Sequence, residues 1–269
     1  MRKLLFIFLS LILFSSCNGQ KREGTSTEIV LETTLGDIHI ALFDDTPIHR
    51  DNIIRHVEDG IYDGVTFHRV IRNFMIQTGD PATRGGVALD STELKERIPA
   101  EIVYPRHFHQ RGMVGAARDG DDENPERMSD KFQFYIVTGK ACSDVDLDGY
   151  EAAREGREAQ SLFEHLCEEH KEEIDALRAA RQPRRLSDRL ETLLDEARLK
   201  ASQTPPLTFT KGQRSVYRSR GGAPWLDGEY TVFGEVVEGM AVVEKIQKIR
   251  TNDQDVPLAE VRIKKAYVK

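Results

Sequence analysis

The chain has 269 residues, with 38 Lys and Arg against 45 Asp and Glu for a formal net charge of −7, which argues against nucleic acid as a partner because phosphate binding needs a concentrated basic surface. A hydrophobic fraction of 39% is ordinary for a globular core, and the about 250 residues left after the N-terminal segment suffice for one large domain or two small ones.

In chain order, MRKLLFIFLSLILFSSC has a basic start, an eleven-residue apolar run from Leu4 to Phe14, and small residues before Cys17. This is the pattern of an export signal. The competing reading, a permanent transmembrane anchor, suffers from a run well short of the ~20 residues a spanning helix needs. The ending FSSC resembles a bacterial lipoprotein signal, whose cysteine is acylated and becomes the mature N-terminus. That resemblance implies a signal over residues 1–17, lipidation at Cys17, and a flexible polar tether over 18–27. It further implies an exported periplasmic or outer-membrane lipoprotein, held to the membrane by lipid. Cys142 and Cys167 then remain, either paired in an oxidising compartment or as two separate thiols.

Residues 29–43, IVLETTLGDIHIALF, alternate apolar and polar side chains around a Gly-Asp turn and predict a hairpin with one buried face. Pro47, the spaced Ile48, Ile53, Ile54 and Val57, and the closing Gly60 predict a helix over 47–59. Short β-rich stretches follow at Val65–Val70, Phe74–Thr78, Gly112–Ala117 and Phe132–Thr138. The composition then turns to Glu, Arg, Ala and Leu over 150–201. There Leu162, Leu166, Ile174 and Leu177 mark one helical stripe and Leu186, Leu190, Leu193, Leu194 and Ala197 another, separated by Pro183. β pattern returns in YTVFGEVV, followed by a short helix over Met240–Ile249 and a last strand in VRIKKAYV. The expected organisation is a mainly β domain over 28–269, interrupted by a charged α-helical hairpin at 141–213.

Residues 67–80 read FHRVIRNFMIQTGD. Taken alone they are two core strands joined by a turn at Arg72-Asn73. Strand alternation supplies a second reading. It puts Phe67, Arg69 and Ile71 on one face and Gln77 two residues beyond Met75, so a guanidinium and an amide converge beside apolar surface. A buried Arg without an acid is costly, which favours Arg69 lining a cleft where a ligand supplies acceptors.

The same stretch resembles the signature of the cyclophilins, peptidyl-prolyl cis/trans isomerases built on a closed eight-stranded antiparallel β-barrel capped by two helices. TTLGDIHIALF resembles that family's opening hairpin, GMVGAAR its central strand, QFYIV the strand after it, and WLDGEYTVFGEVVEGMAVVEKI its closing segment, all in family order. The stretch NPERMSDKFQFYIV is similar to bacterial members. The resemblance implies rotation about Xaa-Pro bonds of exported proteins to assist their folding, with proline-containing polypeptides as clients and no cofactor required. It makes Arg69 the catalytic arginine and Gln77, with Gln133, a polar contact to the peptide. It assigns Phe74, Met75, Tyr135 and Leu226 to the floor and walls of a proline pocket bordered by Trp225. Ala117 and Arg118 would offer backbone contacts to the residue before proline, and Tyr230 stands where many relatives have His. Gly115-Ala116 and Lys131-Phe132 depart from the family pattern beside Ala117 and Gln133. A different class of function, a chaperone module in which the barrel recognises proline segments and the hairpin recruits a client, predicts that deleting 141–213 harms client protection more than turnover of a short peptide.

DVDLDGYEAARE, residues 144–155, matches a calcium-loop spacing with Asp144, Asp146, Asp148 and Glu155 at ligand positions. Its other reading is an acidic run that caps the first inserted helix. His107 and His109 are spaced for one strand face, as a surface or hydrogen-bonded pair rather than a zinc site, since no third ligand accompanies them. His68 alternates away from Arg69 and reads as structural rather than as a general base.

Overall fold

The computed structural model describes residues 27–85, 92–203 and 208–269; the signal over 1–17, Cys17 and all but the last residue of the tether lie outside them. Among the described residues no helix is long and apolar enough to cross a membrane. Strand β1 (Glu28–Thr33) and β2 (Gly36–Leu42) form the expected hairpin, with Ile29, Leu31, Ile38, Ile40 and Leu42 turned into the core. They are followed by α1 (Pro47–Glu58), β3 (Arg69–Ile71), β4 (Met75–Thr78), β5 (Arg97–Ile98), β6 (Met113–Ala116), β7 (Ser129–Asp130) and β8 (Phe134–Val137). Four helices come next: α2 (Asp144–Glu169), α3 (Lys171–Ala179), α4 (Pro183–Gln203) and α5 (Lys211–Ser219). The chain closes with β9 (Val232–Glu238), α6 (Met240–Ile246) and β10 (Ile263–Val268).

Eight strands pair antiparallel in the order β10-β1-β2-β9-β6-β8-β4-β3, with β5 and β7 in a separate two-stranded ribbon. The expected closure is not made, and the sheet is a half-barrel with edges at β10 and β3. At the gap the Gly64 amide donates to the Ile263 carbonyl at 2.7 Å and the Phe67 amide to the Val261 carbonyl at 2.9 Å. Gly64 sits at φ +86°, and this irregular backbone keeps the contacts from becoming a ladder. The same irregularity corrects the expected alternation: Phe67 lies in the core while Arg69 points outward, because the regular pleat begins only at β3.

As expected, two helices cap the half-barrel. Helix α1 packs on β10 and buries Ile53 and Val57; α6 packs on β2 and buries Val242, Val243 and Ile246. Thr46 provides no side-chain cap for α1. Glu101, distant in sequence, serves instead, accepting from the backbone amides of Ile48 and His49 at 3.0 and 2.9 Å and from the His49 ring at 2.7 Å. A carboxylate is well placed at a helix N-terminus, where amides lack partners.

His56, on α1, stacks on Phe132 with ring centroids 4.7 Å apart, and desolvation, with Lys131 and Arg55 nearby, pushes its pKa down to about 4 from 6.5. The unfolded chain takes up a proton near pH 6.5 that the folded chain refuses until about pH 4, so stability is fully present above that window and falls through it as pH drops. At about 1.4 kcal/mol per pH unit the ceiling is roughly 3 kcal/mol. Denaturant midpoints at pH 7 and 4.5 should therefore separate less in His56→Gln than in the unaltered protein. Equal separations would show that His56 is not a source of the acid sensitivity.

The inserted segment differs from the expected hairpin. Its described residues hold four helices, and α5 runs past residue 213. The sequence KGQRSVYRS has too few apolar residues for a periodic signal, yet Thr210 and Gln213 form a capping box that marks its start. The segment has two cores: Leu166, Ile174, Leu193 and Ala197 form one, and Cys142, Leu147, Phe209 and Tyr217, with Phe108 packed on them, form the other. Cys142 and Cys167 belong to different cores and are both free thiols.

The stretch with the calcium-loop spacing is not a loop. Residues 144–155 are continuous helix, opened by Ser143 as N-cap with Asp146 completing a capping box. Asp144 and Asp148 face Arg214, which also binds Glu151, while Glu155 is exposed further along the helix. Among the described residues no cluster of three or more His, Cys, Asp or Glu is arranged to hold a metal ion. Asp144 and Asp148 share one helix face and are taken by Arg214, while Asp146 on the opposite face is bonded to Ser143, so the start of this helix has the capping form.

Candidate active site

Strand register builds the site. Arg69 on β3 lies opposite Gln77 on β4, Gln77 opposite Tyr135 on β8, and Tyr135 opposite Gly115 on β6. The neighbouring row of Val70, Ile76, Ile136 and Val114 is fully buried inside the half-barrel. Side chains alternate across a strand, so the first row faces out, and one line of residues crosses four strands.

That row floors an open cavity of about 150 Å³, lined by Arg69, Gln77, Tyr135, Phe74 and Met75 from the sheet and its turn, Ala117 and Arg118 after β6, and Leu226 and Tyr230 from the loop before β9. Gln133 stands behind the lining and accepts from the Gln77 amide at 2.9 Å. Trp225 borders it, its ring 5.2 Å from Phe74. Gly79 closes the 67–80 stretch at φ +97°, and a Cβ there would meet the Phe132 carbonyl oxygen at 2.4 Å; only glycine fits both demands. The structure therefore brings together all the site residues inferred from sequence among 69–77, 117–135 and 225–230.

Arg69 has an acid nearby, contrary to the sequence-based expectation: Asp255 lies 3.5 Å from Nε, with both side chains over a third exposed. An exposed pair of this kind is worth at most about 1 kcal/mol, so the guanidinium is aimed but free to exchange partners. Asp255 sits in a turn at φ +61° and was not inferred from sequence, because nothing local to it signals a partner on β3. The side chain of Arg118, expected to contribute backbone only, covers the Tyr230 ring at 4.4 Å and donates from Nε to the Glu229 carbonyl at 3.0 Å. The His68 ring is held below the ordinary histidine pKa by burial.

The inserted helices support this wall from behind. Arg154 of α2 donates to the carbonyls of Asp227 at 2.7 Å and Pro224 at 3.3 Å, and Arg157 reaches Glu229 at 3.2 Å. Tyr150 packs on Trp225, ring centroids 5.3 Å apart. Removing 141–213 would strip these supports, so that deletion cannot separate client recruitment from catalysis. His107 and His109 are not on one strand; each is bonded to its own aspartate, Asp45 at 2.7 Å and Asp227 at 2.9 Å.

The site is thus an outward-facing cleft on an antiparallel half-barrel, apolar at its base, with the Arg69 guanidinium and the Gln77 amide beside that apolar surface. The model of the cyclophilin-type peptidyl-prolyl cis-trans isomerases matches residues 28–176 and 210–268, and the chain belongs to that family of isomerases. Similar proteins named for peptidyl-prolyl cis-trans isomerase occur in Staphylococcus epidermidis, 26% identical over 244 residues and covering 90% of this chain and 91% of the relative. Another in Staphylococcus aureus is 25% identical over 253 residues, covering 93% and 95%. Among solved structures, a cyclophilin-type isomerase of Cryptosporidium parvum shares the fold with TM-score 0.52 at 17% identity, covering 90% of this chain and 97% of that one.

Proposed function

We propose that this cleft catalyses rotation about Xaa-Pro bonds of exported polypeptides and so assists their folding, with Arg69 stabilising the twisted amide and the pocket of Phe74, Met75, Tyr135 and Leu226 holding the proline ring. The observation that carries the reading is the single outward row in which Arg69 and Gln77 stand beside the apolar cavity. Rotation about a peptide bond faces about 18–20 kcal/mol because the nitrogen lone pair is delocalised into the carbonyl, and Xaa-Pro exchange takes tens to hundreds of seconds uncatalysed. A guanidinium donating near the prolyl nitrogen favours the localised lone pair of the twisted state over the planar ground state. A gain of ~10⁵ needs roughly 7 kcal/mol, more than one hydrogen bond supplies. The apolar pocket contributes the rest by anchoring the ring while the carbonyl side turns. Gln77 and Gln133, with the backbone at Ala117 and Arg118, line the route of the preceding residues. A solved Cryptosporidium parvum relative was determined in the presence of the dipeptide Ala-Pro, a ligand of the chemistry this pocket suits. The test is catalysed cis/trans exchange of a short Ala-Pro peptide by residues 18–269; exchange no faster than without protein would reject the reading.

The basic start, the apolar run and the FSSC ending support an activity outside the cytoplasm, on a chain lipid-anchored through Cys17. Incorporation of labelled fatty acid into the full chain, lost in Cys17→Ser, is the expected result. Equal labelling of both would move the anchor elsewhere.

A further inference from the structure

We infer that His109 is a positioning residue for the isomerase: with Asp227 it holds the Tyr135 hydroxyl out of the proline pocket, and helix α5 of the inserted segment secures that relay through Tyr217. The inference rests on the pocket assignment above and concerns how its floor is set.

Tyr135 is buried in the cavity floor, where a phenolic O–H needs a partner. Pointed into the cavity it would place a polar group against a proline ring. Two features turn it away. Gly115, opposite it in the register, leaves the room: a Cβ there would lie 2.5 Å from both Cζ and Oη of Tyr135. His109 supplies the partner, its Nε2 2.9 Å from the hydroxyl.

The direction of that bond follows from the rest of the chain of contacts. Oδ1 of Asp227, itself fully buried, accepts from the His109 backbone amide at 2.7 Å and faces Nδ1 of the ring at 2.9 Å. A carboxylate only accepts, so in the neutral imidazole Nδ1 carries the proton, Nε2 is left as the acceptor and Tyr135 donates. The other oxygen, Oδ2, accepts from the Tyr217 hydroxyl of α5 at 2.7 Å. His109, Asp227 and Tyr217 are all 1% exposed or less, so solvent does not compete for these bonds. The Tyr230 ring stands edge-on to both Tyr135 and His109, at 6.2 and 6.3 Å, so the same histidine seats two residues of the pocket. A hydroxyl turned into the pocket would weaken seating of the ring in the ground state and the transition state alike and leaves Arg69 untouched, so loss of the arrangement should appear in KM rather than kcat.

The experiment measures KM and kcat of residues 18–269 for an Ala-Pro peptide by exchange NMR, with melting temperature as a check on folding. His109→Leu is expected to raise KM about fivefold or more with kcat within about twofold, and His109→Gln, whose amide can accept from Tyr135 and donate to Asp227, to return KM to within about twofold. In the unaltered protein the ¹⁵N signals of the His109 ring should show Nδ1 protonated and Nε2 bare. A folded His109→Leu variant with unchanged KM, or a protonated Nε2, overturns the inference. If His109→Leu does not fold, Tyr217→Phe removes the hydroxyl through which α5 holds Asp227 and is expected to raise KM about threefold; an unchanged KM there also overturns the inference. Absence of turnover in the unaltered protein rejects instead the functional reading beneath it, while the ring tautomer is still read independently.

Discussion

Replacing Arg69 with alanine is expected to lower kcat/KM for an Ala-Pro peptide by about 10²–10³-fold, the scale seen when a preorganised donor to a transition state is removed. The side chain is nearly half exposed, and its pairing with Asp255 at 3.5 Å is long, so the fold loses at most about 1 kcal/mol. Melting temperature should stay within about 3 °C of the unaltered protein, which separates a catalytic loss from a structural one. Arg69→Lys keeps the charge but not the planar fork of donors and should recover only part of the rate. Turnover of Arg69→Ala within threefold of the unaltered chain would mean that rotation is driven by the pocket alone.

The largest stability effect is expected at Asp227. Its carboxylate accepts from the His109 amide, the His109 ring and the Tyr217 hydroxyl, all buried. Asp227→Ala leaves those three donors without an acceptor at about 1–3 kcal/mol each, and because they share one site the combined loss should be about 3–5 kcal/mol. For a chain of this size that corresponds to a fall of roughly 10 °C in melting temperature, with α5 and the pocket wall loosening together. Equilibrium denaturation measures it directly. A loss below about 1 kcal/mol would show that water or a rearranged partner replaces the carboxylate.

Local pattern carried far in this chain. The β1–β2 hairpin, α1 and α6 follow from alternation and helical spacing within a few residues of themselves, and the whole cleft from Arg69 to Tyr230 was legible because its residues sit in recognisable stretches. Expectations failed where local pattern competes with a distant partner. The irregular contact of 64–67 with 261–263 left the sheet open and turned Phe67 inward. The acidic spacing at 144–155 became a helix start because Ser143 and Asp146 cap it and Arg214, far along the chain, takes Asp144 and Asp148.

What the sequence by itself determined is therefore the set of elements and the identity of the cleft residues, since strand period, turn chemistry and a contiguous motif are all short-range properties. What only the tertiary structure decided is which side chains complete one another across the fold. Asp227 meets His109 across 118 positions, and Arg154 reaches its carbonyl across 73. No spacing rule connects such residues. They are joined because the β6–β8 register puts Tyr135 over Gly115 and the packing of α2 and α5 brings their buried polar groups to partners that satisfy them.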